Sequence, residues 1–232
     1  MLFDSKSHGI IYLEAQRLTI VTGAMTETKI LNFAPEMVKD VEILKRQGIF
    51  AQIASFIDQN AIVPASLVMI LASSIYFEKD SDINTKEGDQ PATVDFLDTV
   101  PFEHPATATI KTEKASRVFA TNKDFYETFV EGFIRKNFSI VAIFPASMLK
   151  QFSIPIETGL TQTTSAQLFK IFDTLKQFNM FMDHEEYKTD PVQDSLAKPK
   201  EGTKKSSKKN LYIMISVFIA LLIVLAVMLL RK

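Results

Sequence analysis

The last stretch of the chain constrains it most. Leu211–Leu230 reads LYIMISVFIALLIVLAVMLL, about twenty residues with no charge and with Ser216 as its strongest polar interruption. At roughly 1.5 Å of rise per residue, a helix of that length spans about 30 Å, the hydrocarbon thickness of a bilayer. The stretch therefore predicts a single transmembrane helix over 211–230, anchored by residues such as Leu211, Phe218 and Leu230. A soluble core helix of this length would show a polar face, and this one has none. Ser216 and Ala220 also form a small-xxx-small pair through which two such helices could approach.

The flanks set the orientation. Lys198, Lys200, Lys204, Lys205, Lys208 and Lys209 precede the span and only Arg231 and Lys232 follow it. The positive-inside rule then puts everything upstream in the cytoplasm, at the inner membrane of the cell. The same lysines, Lys204, Lys205, Lys208 and Lys209 foremost, are expected to meet lipid headgroups. Residues 183–210 lose apolar side chains and gain Lys, Ser, Pro and acidic residues, which cannot build a core. A flexible tether of that length would hold residues 1–182 some 25–30 Å from the bilayer on average.

Charge is unevenly divided. Before Lys198 there are 18 Lys and Arg against 26 Asp and Glu, and from Lys198 onward there are eight against one. An acidic head is repelled by nucleic acid, so that partner class is excluded. The chain has no cysteine, which removes disulfides and thiolate metal sites. His8, His104 and His184 share no ligand spacing, so no metal site is assigned. No GxSxG, GxxxxGK[ST], GxGxxG or HExxH occurs, and the seven glycines are scattered, so no catalytic or cofactor-binding residue is assigned either. The expectation is a non-enzyme.

Along the head, Ile10–Gln16 and Leu18–Met25 predict two strands reversing at Ala15–Arg17, with a third from Thr28 limited by Pro35. Leu44–Gln59 carries Ile49, Ile53, Phe56 and Ile57 at helical spacing. Ser66–Phe77, SLVMILASSIYF, predicts one central strand covered on both faces, and Glu78–Thr93 a solvated loop. After a helical turn around Phe96 and Leu97, a strand pair is expected over Ala106–Lys111 and Ser116–Ala120. Thr121 and Asp124 then suggest a capping box opening a helix with Phe125, Phe129 and Phe133 on one face. Ser139–Phe144 predicts a strand stopped by Pro145, and Thr163–Phe178 a last helix. Its stripe of Leu168, Phe172 and Leu175 is the candidate partner-binding face.

The order of these elements, with Pro35, VKDVEIL (Val38–Leu44), SSIYFEK (Ser73–Lys79), VPF (Val100–Phe102) and SIVAIF (Ser139–Phe144), resembles the first half of the actin-like type IV pilus assembly proteins of the PilM type, in the FtsA/PilM superfamily. The resemblance covers Ile10–Leu149. It implies an α/β (α+β) fold: a partial actin-like, ribonuclease H-like domain with a small inserted subdomain, here followed by one C-terminal transmembrane helix. The pilus family's actin-like member docks on the cytoplasmic tail of a membrane partner; here a built-in anchor would replace that recruitment with a covalent one. Members open with an Asp-x-Gly phosphate turn, whereas this chain has Leu13, Glu14, Ala15 and Gln16, so only Glu14 can stand in and the glycine is missing. No ATP is expected to bind in the family's way, and no cofactor is assigned.

The function this predicts is a membrane-anchored, non-catalytic scaffold that organises an inner-membrane envelope complex through protein–protein contacts, with membrane lipid, protein partners and self-association as its partner classes. Two rivals stand beside it: a generic tail-anchored adaptor unrelated to pili, and a degenerate membrane-bound ATPase.

Overall fold

The computed structural model describes residues 8–82, 96–111, 115–156 and 159–182, all within one unit, Met1–Glu186. The apolar stretch 211–230, the tether 183–210 and the lysines Lys204, Lys205, Lys208 and Lys209 lie outside the described residues. Among the described residues no helix is long and apolar enough to cross a membrane.

Five strands make the main sheet in the order β10-β6-β1-β2-β3, with β1 His8–Leu13, β2 Arg17–Thr22, β3 Lys29–Asn32, β6 Ser66–Leu71 and β10 Ser139–Pro145. β1, β2 and β3 form an antiparallel meander, while β6 runs parallel to β1 and β10 parallel to β6. The β1–β2 reversal occupies residues 14–16, and Arg17 already belongs to β2. Two parallel crossovers carry helices α1 (Arg46–Gln59) and α2 (Lys123–Ile134). Because both crossovers step the same way across the sheet, right-handedness puts both helices on one face.

Alternation then divides the core. Ile10, Tyr12, Val68, Ile70, Ala142 and Phe144 belong to one buried cluster together with Leu168, Phe172 and Leu175. The intervening Ile11, Leu13, Leu67, Met69, Leu71 and Ile143, each fully buried, face the α1/α2 side. There α1 and α2 approach closely at Gly132, where a Cβ would come within 2.5 Å of Ile53 Cδ1. Phe33 stacks on Phe129 at 4.6 Å, and Arg46 bonds Glu131 at 2.7 Å.

Several expectations need correction. The run Ser66–Phe77 is two strands. β6 ends at Leu71, residues 72–75 turn, and β7 (Tyr76–Asp82) starts a second sheet of order β7-β9-β8, with β8 Pro105–Lys111 and β9 Ala115–Asn122. The expected loop from Glu78 is therefore strand up to Asp82, and residues 83–95 lie outside the described residues. Thr121 does not cap α2. Its hydroxyl donates to Ile75 O at 2.7 Å, and Asn122 is the cap, its Oδ1 accepting from Phe125 N–H at 3.3 Å. Val38–Leu44 contains a hairpin of β4 (Val38–Lys39) and β5 (Glu42–Ile43), turned by Asp40 and Val41 at φ 51° and 63°.

The last helix, expected as continuous, is broken. α3 (Gln162–Lys170) opens on a capping box of Thr161 and Thr164, a kink at Ile171 separates it from α4 (Phe172–Leu175), and a 3₁₀ turn, Lys176–Phe178, follows. Leu168, Phe172 and Leu175 are 0 %, 2 % and 0 % exposed. They do not form a free partner-binding face: their apolar surface is spent on seating α3 and α4 against the sheet. Leu168→Ala is accordingly expected to cost about 2–5 kcal/mol of unfolding free energy by denaturant titration, against less than about 0.5 kcal/mol for an exposed position. Asn122→Ala, which removes the α2 cap and the Nδ2 bond to Val41 O, should cost about 1–3 kcal/mol by the same measurement.

Candidate functional site

The carboxyl ends of parallel strands are where an open α/β sheet presents a crevice, because the chain departs in different directions from neighbouring strands. Here β1, β6 and β10 end at Leu13, Leu71 and Pro145. From these ends the chain turns into the β1–β2 hairpin, into the inserted sheet, and into the 3₁₀ segment Ala146–Phe152. Between them lies a crevice of about 370 Å³ lined by Tyr12, Tyr76, Glu78, Ser147, Lys150 and Ile156. It continues, through the shared Ser147 and Lys150, into a second hollow of about 360 Å³ floored by Asp80, Ile110 and Arg117 of the inserted sheet.

The walls are joined by specific bonds. Ser147 N–H donates to the Tyr76 phenol oxygen at 3.2 Å, and Ser147 Oγ donates to Glu78 Oε2 at 2.7 Å. Arg117 forms a two-pronged bond with Asp80, one arm at 3.0 Å, and lies 3.9 Å from Glu78. This guanidinium holds the Asp80 carboxyl below the usual range through its hydrogen bonds. Burial, then the neighbouring Glu14 charge and Tyr76, push the Tyr12 phenol up to about 12. Burial also raises Tyr76, opposed by its bond from Ser147. Both phenols are thus neutral at physiological pH. Lys150 is exposed and makes no ion pair among the described residues. The groove offers apolar wall, neutral hydroxyls, the Glu78 and Asp80 carboxylates held by Ser147 and Arg117, and the exposed Lys150.

The phosphate-turn position is built differently from a cradle. Glu14 accepts two bonds from Arg17, Nε to Oε2 at 2.6 Å and Nη2 to Oε1 at 3.1 Å. The hairpin's own N–H groups are engaged as well, Glu14 with Arg17 O at 2.9 Å and Ala15 with Ser74 Oγ at 3.4 Å. The Glu14 carboxylate is ion-paired in place, and the Glu14 and Ala15 N–H groups of the turn are spent on bonds within the protein. Among the described residues no group of three His, Cys, Asp or Glu side chains could hold a metal ion.

Sequence reasoning missed the groove, whose residues come from β1, β7, β8, β9 and the 3₁₀ segment with the chain after it. Glu14 was singled out, but its partner Arg17 was read only as part of the turn; the i, i+3 spacing of opposite charges was the available signal. His8, to which the sequence assigns no role, stacks on Phe172 at 4.2 Å.

No family model matches this chain, and no curated protein does. Among solved structures, the chain is similar to a PilM–PilN type IV pilus biogenesis complex, with 10 % identity, a TM-score of 0.45, and coverage of 64 % of this chain and 50 % of that one. It is similar to the cytoplasmic domain of EpsL, an inner-membrane component of the type II secretion system of Vibrio cholerae, at 14 % identity and TM-score 0.36, covering 60 % and 55 %. It is similar also to a Bacteroides thetaiotaomicron protein with an actin-like ATPase fold and unknown function, at 13 % and 0.36, covering 66 % and 60 %. The chain spans half to three fifths of the length of these structures.

The neutral phenols give a direct test. In a spectroscopic titration, Tyr12 should ionise near pH 12, well after an ordinary tyrosine at about 10. The folded state holds this proton more tightly than the unfolded chain. Its contribution is therefore complete below about pH 10 and lost as pH rises through about 12. Tyr12→Phe should flatten the fall in melting temperature across that window.

Proposed function

We propose that this chain is a non-catalytic scaffold of the PilM-like type, held at a membrane by its apolar C-terminal stretch and organising an envelope complex by capturing a protein segment in the groove between the sheet edge and the inserted sheet. One observation carries the non-catalytic part: the acid at the phosphate-turn position is bonded on both oxygens by Arg17, within a turn that has no glycine. The motif order in the sequence, and an inserted three-stranded sheet between β6 and β10, support the family reading. The partner class this points to is the cytoplasmic tail of a membrane protein in a pilus or secretion machine. The chain's own lysines at 204–209 would add contact with anionic headgroups.

The test has two arms. A ligand present at 100 times its dissociation constant stabilises a fold by about 2.7 kcal/mol; ATP with magnesium is expected to leave the melting temperature of the full chain unchanged. A photo-crosslinker at Ser147 in native membranes is expected to capture an envelope protein, and Lys150→Glu to reduce that capture at least tenfold without lowering the melting temperature. A shift of several degrees with ATP, or crosslinking that returns no membrane partner, would overturn the reading.

A further inference from the structure

Strand edges are the places where a chain can be extended by another chain, and proteins blunt them with charge, Pro, shortness or cover. Three of the four outer edges described here are blunted. β3 has four residues and carries Lys29, paired with Glu27. β10 is covered by the chain after the last 3₁₀ turn, with Met180 N–H donating to Ile143 O at 2.9 Å and Ile143 N–H donating to Asn179 Oδ1 at 3.2 Å. β7 carries Glu78, Lys79 and Asp80 in succession.

Among the described residues, no strand pairs with the fourth edge, β8. Pro105–Ile110 reads PATATI, without a charge, in a strand of seven residues. Its register against β9 fixes which backbone groups are spare. Lys123 N–H donates to His104 O at 3.2 Å, continuing the β8–β9 ladder, so the hydrogen-bonded pairs fall at 106, 108 and 110. The N–H and C=O groups of Thr107 and Thr109 point away from β9, both residues are exposed, and no described residue bonds to those groups. Pro105, the residue without an N–H, also falls on the outward-pointing set, at the first position of the strand, where an edge tolerates it.

We infer that β8 pairs antiparallel with β8 of a second copy of this chain about a two-fold axis through Ala108, joining the two inserted sheets into one of six strands. In that register Thr107 of each copy exchanges both backbone bonds with Thr109 of the other, and Ala106 faces Ile110. Ala108 meets its two-fold-related counterpart, where a small side chain suits the closest approach of the strands. A two-fold places every residue opposite a fixed counterpart from the same strand, so a charged edge would set charge against charge; this strand has none from Pro105 to Ile110. Of the stretch Pro105–Ile110 the Ile110 side chain also lines the groove, but the pairing uses the outward backbone groups of Thr107 and Thr109, and the inference does not rest on the proposed function.

The chain has no cysteine, so a single one reports the register. Across a non-hydrogen-bonded antiparallel pair, Cα atoms lie about 4.5 Å apart, within the disulfide range of about 4.4–6.8 Å. Ala108→Cys in the full chain in detergent, under mild oxidation, is expected to give mostly disulfide-linked dimer. Ile110→Cys should crosslink at least tenfold less, because in this register the two Ile110 positions are separated by about 14 Å along the strands. Adding Thr109→Pro to Ala108→Cys removes an outward N–H but no bond to β9, and should lower the dimer yield at least tenfold. Equal yields at 108 and 110, as dimerisation through another surface would give, or a yield indifferent to Thr109→Pro, would overturn the proposal.

Discussion

Burial of β1 and β6 on both faces is the constraint from which the rest of the head follows. Every residue of β6 from Leu67 to Leu71, and of β1 from Ile10 to Leu13, is at most 4 % exposed. A strand buried on both sides needs two covering layers, and the chain supplies them separately: α1 and α2 on one face, α3 and α4 with the 3₁₀ segments on the other. With both faces and both neighbouring strands committed, only the ends of β1 and β6 remain accessible. The crevice lies there for that reason, and its lining alternates between core side chains such as Tyr12 and polar residues of the departing loops.

The same double burial explains what could be read from residues alone. Continuous apolar runs, and phenylalanines at helical spacing on α2, depend only on near neighbours, so β1–β3, α1, α2, β8–β9 and β10 were legible within a few residues. The division at Ala72–Ile75 was not, because Ala72 and Ile75 are buried at 3 % and 1 % just as strand residues are. An apolar run that serves two sheets in succession looks like one long strand; Ser73–Ser74 was the local sign of the break. Leu168, Phe172 and Leu175 were legible as a stripe, but a stripe does not reveal whether it faces the chain's own sheet or a partner. The two-sided need of β6 and β10 for cover decides for the former.

At the candidate site the division is sharper. The absence of glycine from the hairpin is local and was legible. The neutralised Glu14 also lay within reach, three residues from Arg17. The groove could not be read, because Tyr12, Tyr76, Arg117 and Lys150 are up to 138 positions apart and meet only through the topology of two sheets.

Whether the groove is a fixed feature depends on the root of the inserted sheet, where two strands leave and re-enter the main body. Each connection is pinned by a side chain bonded to main chain. At the exit, Ile75 O accepts from the buried Thr121 hydroxyl at 2.7 Å, so the outgoing strand is tied to the incoming one. At the return, Asn122 caps α2 with its oxygen and donates from Nδ2 to Val41 O at 2.9 Å. That second bond reaches a hairpin holding a β-branched residue at φ 63°, a conformation costing on the order of 1–3 kcal/mol. Burial of Val41 to 9 % exposure and the bond from Asn122 offset the strain, and the strain in turn fixes the carbonyl where Asn122 needs it. With the Ser147 bonds to Tyr76 and Glu78 bridging the opposite wall, the inserted sheet is held at its base and along one flank. Such a groove is preorganised, so any ligand that entered it would meet walls already in place.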